Sequence, residues 1–376
     1  MFCWCENYDK YNYEKGTQMK VSTIPGLGSF GHYIDDVDFN NLSSDEWFEI
    51  GKLHLQGLVT ILRNVNITRD QYVAKIRKFG PNKGTRNSRA HFKIKYGEDF
   101  DPKDEGAFDR FNVSEEDRNY LKFKRHFVEQ TEGGNFLTRI SGERDEQGNS
   151  LGAFSDGELY WHSNESSELT FAPEVALLGY KHMTGSTTGF VQSVDCYESF
   201  SESFRSELDE MVVIHEYIPG GINNREITDP NLGNVLRMEF CQYDGSEVPM
   251  VLTSPGGHKG LHYTTNTATG IKGMTKEESA KIFKIIDEKL FTDKYIYDHK
   301  YATDNELLLF DNSVTLHRRK DPGHAQRLAY RIQYDPSNLL DAPWYPYNHL
   351  PKYAEKYKIQ THELIEITKL KDFKLP

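Results

Sequence analysis

The sequence has few cysteines and no long hydrophobic run. Its 376 residues contain four cysteines, Cys3, Cys5, Cys196 and Cys241, and none of them forms a Cys-X-X-Cys pair. Four thiols are too few to cross-link a chain of this length, which argues against a disulfide scaffold. No stretch approaches the roughly 18 apolar residues of a membrane-spanning helix, and the first residues lack a basic segment followed by an apolar one. These absences predict a cytoplasmic protein that does not associate with membranes.

Positive charge is also in short supply. Lys and Arg number 45 against 57 Asp and Glu, which gives a formal net charge of −12. This is the wrong sign for a protein whose main partner is a phosphate backbone, so bulk nucleic-acid binding is excluded while a local basic pocket is not. With 22 Tyr and 22 Phe the chain can build a sizeable core. The composition indicates a folded chain, and it leaves homo-oligomer formation open.

The chain contains neither an internal repeat nor a low-complexity linker. Its length would allow two domains, yet the scattered Gly and Pro residues favour one continuous domain over residues 1–376. Residues 42–47 are typical of a capped helix start, and residues 57–63 are typical of a buried strand. Thr68 starts a second predicted helix that ends at Gly80. An α/β elaboration is therefore expected over about residues 20–80.

The remainder of the chain is rich in strand patterns. A polar segment at about residues 80–155 is predicted to be a lid, and a tail follows at 341–376. One amphipathic helix, from Thr275 to residue 290, interrupts a series of short apolar segments within about 156–340. These segments are 177–180, 189–192, 211–214, 249–252, 307–310 and 329–333. Short strands with few crossover helices predict a mainly β fold with flanking helices, an antiparallel sandwich or jelly roll.

Two histidines stand beside predicted strands and have polar neighbours of a suitable kind. Side chains two apart on a strand point the same way, so His162 and Asn164 could present an imidazole and an amide oxygen to one point. His317 follows another strand, and Arg327 and Arg331 lie ten and fourteen residues beyond it. Two histidines with two inward arginines are typical of a metal site beside a site for a dianion. Taken singly, each residue also fits an ordinary structural role, such as a surface ion pair for the arginines.

These residues occur in an order that resembles the TauD/TfdA family of Fe(II)- and 2-oxoglutarate-dependent dioxygenases. Trp161-His162-Ser163-Asn164 is similar to the family's Trp-His-Thr/Ser-Asp, and Phe310-Asp311-Asn312 through His317 is similar to its Asp-Asn…His segment. Arg327 and Arg331 match the two arginines that follow the distal histidine. Further matched blocks at residues 57–80 and 248–274 extend the resemblance over about 270 residues.

The resemblance implies a double-stranded β-helix core and a dioxygenase that uses Fe(II), 2-oxoglutarate and O2. It implies that His162 and His317 bind the metal, together with a residue at position 164. Arg327 is expected to hold the far carboxylate of 2-oxoglutarate. Arg331 is expected to face the co-substrate or an anionic group of the substrate, with a supporting ion pair as the alternative. The expected reaction is hydroxylation of a small molecule with release of succinate and CO2.

Two positions depart from the family pattern. Asn164 stands where the family has a carboxylate, so the metal could be held by Asn164 itself or by Glu165, or activity could be weakened or lost. Asn164 also fills the space that halogenases of this kind reserve for chloride, which argues against halogenation. A direct count places Gly189 where the family has a co-substrate-binding Thr, and Thr188 could take that role if the register shifts by one.

The sequence says less about the substrate. Glu158, with Asp156, could meet a cationic group, although a solvated acidic loop is the alternative. Basic residues in the predicted lid could hold an anionic substrate or balance nearby acidic residues; they are Arg86, Arg89, His91, Lys93 and Lys95. Three functions follow: hydroxylation of a small molecule, a non-catalytic relative that binds a small carboxylate or a partner, and modification of a nucleotide or nucleic acid, with the net charge arguing against a duplex but not against a nucleoside.

Overall fold

The structure is a computed structural model. It describes residues 19–82, 96–118, 128–164, 172–215 and 246–344, apart from 28–29, 98, 101–103, 116, 149, 156, 266, 321–322 and 343. None of the helices in these ranges is long and apolar enough to cross a membrane. Of the four cysteines, Cys196 lies in the described part, where it is buried and free.

The N-terminal part forms the predicted α/β elaboration. Its elements are β1 (Lys20–Thr23), β2 (His32–Asp35), α1 (Ser44–Gly57), β3 (Val59–Leu62) and α2 (Arg69–Phe79). Both helices begin at a capping box, Ser43 with Glu46 and Thr68 with Gln71, in which each partner satisfies a backbone N–H that the helix leaves open. The capped helix starts predicted from the sequence are therefore confirmed.

The remaining elements are mostly strands. In chain order they are α3 (Glu105–Arg110), β4 (Val128–Gln130), β5 (Phe136–Ser141), β6 (Leu159–His162), β7 (Glu174–Lys181), β8 (Thr187–Gln192), α4 (Val194–Glu198), α5 (Glu202–Glu210), β9 (Val212–His215), β10 (Ser246–Pro249), β11 (Val251–Thr253), β12 (Lys259–Leu261), β13 (Ala268–Ile271), α6 (Lys276–Leu290), β14 (Ile296–Lys300), β15 (Glu306–Asp311), β16 (Thr315–Arg319) and β17 (Leu328–Tyr334). The strand and helix patterns read from the sequence in the second half of the chain correspond to these elements, and Thr275 caps α6 through a box with Glu278.

Two sheets enclose the core. The larger has the strand order β1-β2-β3-β15-β7-β17-β5-β4, and the smaller has the order β14-β8-β16-β6. Among the described strands the pairings are antiparallel except that of β2 with β3. One hydrophobic cluster joins Phe190 of the small sheet to Val175, Leu308 and Phe310 of the large one, so the two sheets pack face to face. This arrangement confirms the expected jelly-roll type of fold.

The lid role of the segment at about residues 80–155 stays a prediction. The segment supplies β4 and β5 to the large sheet, where β5 pairs with β17 over Ser141 to Thr138. The strands are short and follow polar turns, so their pattern was too weak to find in the sequence. The basic residues that were assigned to a lid surface, Arg86 to Lys95, lie outside the described residues.

The cap of α1 offers a test of the local sequence reading. We expect Ser43→Ala to lower the free energy of unfolding by about 1 kcal/mol, because the Ser43 hydroxyl accepts the Glu46 N–H at 3.2 Å and its loss leaves that donor open. Chemical denaturation would measure the change. Ser44→Ala is the matched control, since Ser44 is the first helical residue and its hydroxyl meets only the exposed Lys78 ammonium in the described structure. Equal losses in both variants would contradict the assignment of the cap.

Candidate active site

A cavity of about 70 Å³ lies between the two sheets. Six of the residues proposed from the sequence line it together, although they are spread over 170 positions of the chain: His162, Asn164, Thr188, His317, Arg327 and Arg331. Strand pairing explains this convergence. β16 lies between β6 and β8, which brings His317 opposite both His162 and Phe190. On the facing sheet, β17 carries Arg331 opposite Leu177 of β7, which also lines the cavity.

His162 and His317 face each other with ring centroids 4.2 Å apart. The Nδ1 atom of His162 lies 2.6 Å from the carbonyl oxygen of Tyr160. Because a carbonyl oxygen can only accept, Nδ1 donates in this hydrogen bond, and Nε2 is the ring nitrogen that could bind a metal. Metal-binding histidines commonly donate their other ring N–H to a backbone carbonyl in this way.

The protonation state of His317 is determined by burial. Burial lowers its pKa well below the ordinary value, and the nearby His162 and Arg331 lower it further. Its Nδ1 atom is buried and meets no hydrogen-bond partner among the described residues. The ring is therefore neutral at physiological pH. Two imidazoles at this separation fit a divalent metal ion, which binds imidazole only through an unprotonated nitrogen.

Asn164 does not lie on a strand as the sequence pattern predicted. β6 ends at His162. Hydrogen bonds from the Asn312 side chain hold the turn that follows. The side chain of Asn312 accepts the Asn164 backbone N–H at 2.7 Å and donates to the Asn164 carbonyl at 3.0 Å. It also donates to the carbonyl of Ala172 at 2.8 Å, and the Ser163 hydroxyl donates to the Asn312 carbonyl. Asn312 thus places the Asn164 side chain in the cavity.

The amide oxygen of Asn164 already has a neighbour. It accepts a hydrogen bond from Nη1 of Arg331 at 3.1 Å, while the buried Nδ2 atom meets no partner among the described residues. The described ranges contain no group of three His, Cys, Asp or Glu side chains that could hold a metal. Two histidines and an amide oxygen are therefore the ligand set that the described residues offer. Glu165, the other candidate from the sequence, lies outside them.

Arg327 is buried just before β17 begins, with its guanidinium facing the loop before β6. It donates to the carbonyl of Phe154 at 2.9 Å, and Arg319 donates to the same oxygen at 2.7 Å and to the carbonyl of Gly157 at 2.8 Å. Phe154 has a φ of +58°, a left-handed conformation that bulky residues seldom adopt. The two arginines stabilise this turn, and the carbonyl oxygens of the turn hold both guanidinium groups at the cavity.

The structure also distinguishes Thr188 from Gly189 at the position where the family has a co-substrate-binding threonine. Thr188 is buried and lines the cavity. Gly189 faces the other side of β8, where a Cβ would lie 2.3 Å from Asp298 Oδ1 and 2.8 Å from Arg318 Cγ. The sheet alternation therefore turns Thr188, and not Gly189, toward the cavity.

The residues predicted to meet a substrate are placed less centrally. Glu158 is exposed and is not among the residues that line the cavity. Its proposed neighbour Asp156 lies outside the described residues. The contact of Glu158 with a substrate therefore stays a prediction.

Three residues at the site were missed as functional residues from the sequence: Tyr301, Asn312 and Arg319. Asn312 follows Asp311 in the matched segment, which was a signal for its importance but not for its role. Arg319 lies two residues after His317, and that strand spacing alone would have placed it on the same face. Nothing in the sequence near Tyr301 indicates that its ring lines the cavity.

Comparison with known proteins agrees with this geometry. The family model described as taurine catabolism dioxygenase TauD, TfdA family matches residues 22–333. The chain belongs to the TauD/TfdA family. Enzymes of this family use Fe(II), 2-oxoglutarate and O2, and the chain is an oxidoreductase of the dioxygenase class. A search of curated proteins finds no match.

Solved structures share the fold of this TauD/TfdA protein. A crystal structure of AAD-2 in complex with Mn(II) and N-oxalylglycine has a TM-score of 0.57 and 18% sequence identity, over 85% of this chain and 97% of the other. A taurine dioxygenase from Burkholderia xenovorans has a TM-score of 0.56 and 17% identity, over 84% and 89% of the two chains. At these identities the similarity establishes the fold.

The bracing role of Asn312 can be tested by metal binding. We expect Asn312→Asp to weaken the binding of Mn(II) roughly tenfold, because a carboxylate cannot donate to the carbonyls of Asn164 and Ala172 and the turn that carries Asn164 is released. Titration of the metal-free protein with Mn(II) would measure this.

Asn305→Asp is the matched control, since it makes the same chemical change at an exposed position that bonds Asn66 at 3.2 Å. An unchanged affinity in the Asn312 variant would show that the turn holds its geometry without this brace.

Proposed function

We propose that the protein hydroxylates a small molecule in a reaction that consumes O2 and 2-oxoglutarate and releases succinate and CO2. The observation that carries the proposal is the convergence of two histidines, an amide oxygen and two arginines at one cavity between the sheets. A bound ferrous ion would supply the oxygen chemistry. The contribution of the chain is to bind, to orient and to exclude water.

The metal ligands in this proposal are His162, Asn164 and His317. The Tyr160 carbonyl orients the His162 ring, and the Asn312 side chain orients the turn of Asn164. Three protein ligands leave open positions for small molecules, as in the sites that combine two histidines with one carboxylate. Here the third ligand is neutral, so the site carries one negative charge less and should hold Fe(II) more weakly.

Arg327 and Thr188 are the residues that hold the far carboxylate of 2-oxoglutarate. Both are buried, so a charge-assisted hydrogen bond between the Arg327 guanidinium and a carboxylate is screened little by water. Arg331 stands nearer the proposed metal ligands because it bonds the Asn164 amide oxygen. From that place it can face the co-substrate or an anionic group of the substrate, while Glu158 at the exposed side could meet a cationic one.

The second candidate function is a non-catalytic relative that binds a small carboxylate or a partner. The observation that favours it is the hydrogen bond from Arg331 to the Asn164 amide oxygen. This bond occupies a lone pair of the oxygen atom that would have to bind the metal. Oxygen uptake and succinate formation in the presence of Fe(II) and 2-oxoglutarate separate the two functions. Turnover that disappears in His317→Ala supports the dioxygenase, and carboxylate binding without turnover supports the alternative.

Position 164 provides a direct test of the metal site. We expect Asn164→Asp to raise Fe(II) affinity about tenfold and to raise 2-oxoglutarate turnover, because the carboxylate adds a negative charge beside the two imidazoles. The neighbouring Arg331 will pair with that charge and limit the gain. Anaerobic Fe(II) titration and succinate assays measure the two effects.

Ser163→Ala is not a suitable control because Ser163 contacts Asn312, so the control is Asn164→Asp combined with His317→Ala, in which the gain should vanish. No gain in either measurement for the single Asp variant would show that Asn164 is not at the metal.

A further inference from the structure

Tyr301 lies directly after β14 and forms part of the cavity wall. Its side chain is 1% exposed, and its hydroxyl lies 3.4 Å from Oγ1 of Thr188, which lines the same cavity. The two hydroxyl groups therefore lie close together in the cavity that His162 and His317 also line.

The position of the Tyr301 ring is determined by its surroundings. The backbone N–H of Tyr301 donates to the Ser186 carbonyl at 3.0 Å, and its carbonyl accepts from Gly185 at 3.0 Å. The ring packs against Gly179 of β7, where an added Cβ would come within 2.8 Å of a ring carbon. The His299 ring meets it edge to face at a centroid distance of 4.9 Å. A ring held on several sides keeps its hydroxyl in place before any ligand arrives.

The hydroxyl is suited to donate to an anion. Burial raises the pKa of Tyr301 well above its usual range, so the phenol keeps its proton at physiological pH. Among the described residues its hydrogen-bond partner is Thr188 alone, at a distance beyond the usual range of about 2.5–3.0 Å for O–H···O bonds. A buried donor with one long bond is able to form a better one with a carboxylate.

The distance from the proposed metal ligands fits a five-carbon dicarboxylate. His317 pairs with Phe190 on β8, and Thr188 lies two residues further along the same strand and on the same face. Two residues of strand span about 7 Å. Thr188 thus lies two strand residues from the level of His317, and the Tyr301 hydroxyl lies beside it in the cavity that Arg327 also lines.

We propose that Tyr301 donates a hydrogen bond to the distal carboxylate of 2-oxoglutarate and, with Thr188 and Arg327, selects a dicarboxylic 2-oxo acid as co-substrate. This inference rests on the proposed function, because it takes the cavity to be the co-substrate site. It adds to that function a third donor, from the residue that follows β14, which no pattern in the sequence assigned.

The test is the binding of two matched ligands to the Mn(II)-loaded protein by calorimetric titration, which requires no turnover. The first ligand is 2-oxoglutarate, and the second is 2-oxopentanoate, which has the same chain length without the distal carboxylate. Tyr301→Phe should weaken 2-oxoglutarate binding about tenfold, as expected for the loss of a hydrogen bond to a charged group, and leave 2-oxopentanoate binding unchanged. Tyr297→Phe is the control, because the Tyr297 hydroxyl contacts that of Tyr33 and does not line the cavity.

Each outcome has a distinct meaning. An unchanged affinity of Tyr301→Phe for 2-oxoglutarate overturns the inference and leaves the proposed function intact. Equal losses for both ligands overturn it as well, since they indicate a general change in the cavity. Failure of the wild-type protein to bind 2-oxoglutarate at all overturns the proposed function and this inference together. A loss confined to 2-oxoglutarate, with thermal unfolding unchanged, supports the assignment.

Discussion

The pairing of β16 with β6 and β8 is the constraint on which the site depends. This register places His317 opposite His162 and Phe190, so one strand supplies both a candidate metal ligand and the contact that joins the two sheets. A slip by one residue would turn the His317 side chain away from the cavity. The register is well determined, because the inward residues of β16 are buried against a hydrophobic core.

Burial then decides the chemical state of the groups that this register collects. Burial keeps the His317 imidazole unprotonated because the charged form is poorly solvated, which leaves this ring able to bind a cation. The same burial strengthens the attraction between the arginines and any anion in the cavity. The loop around Phe154 holds Arg319 and Arg327 in place through hydrogen bonds to the Phe154 carbonyl oxygen. Phe154 adopts an unusual left-handed backbone conformation in this loop.

Asn164 is where this molecule departs from a balanced site of two histidines and a carboxylate. A carboxylate there would offset part of the metal's charge and pair with Arg331. The amide keeps the hydrogen bond to Arg331 at 3.1 Å and supplies no charge. A dianionic co-substrate would supply negative charge that the amide does not. The consequence is that binding of metal and co-substrate should depend on each other more strongly than in a site with its own carboxylate.

The sequence by itself determined the elements and their chemistry. Capping residues such as Ser43, Thr68 and Thr275 predicted helix starts because their signal is local, and the order of His162, His317, Arg327 and Arg331 predicted the family. Only the tertiary structure decided which side chains meet. Thr188 rather than Gly189 faces the cavity because sheet alternation depends on the register, and Tyr301 and Asn312 act across strands far apart in the chain. Contacts of that kind arise from packing, and no local pattern in the sequence records them.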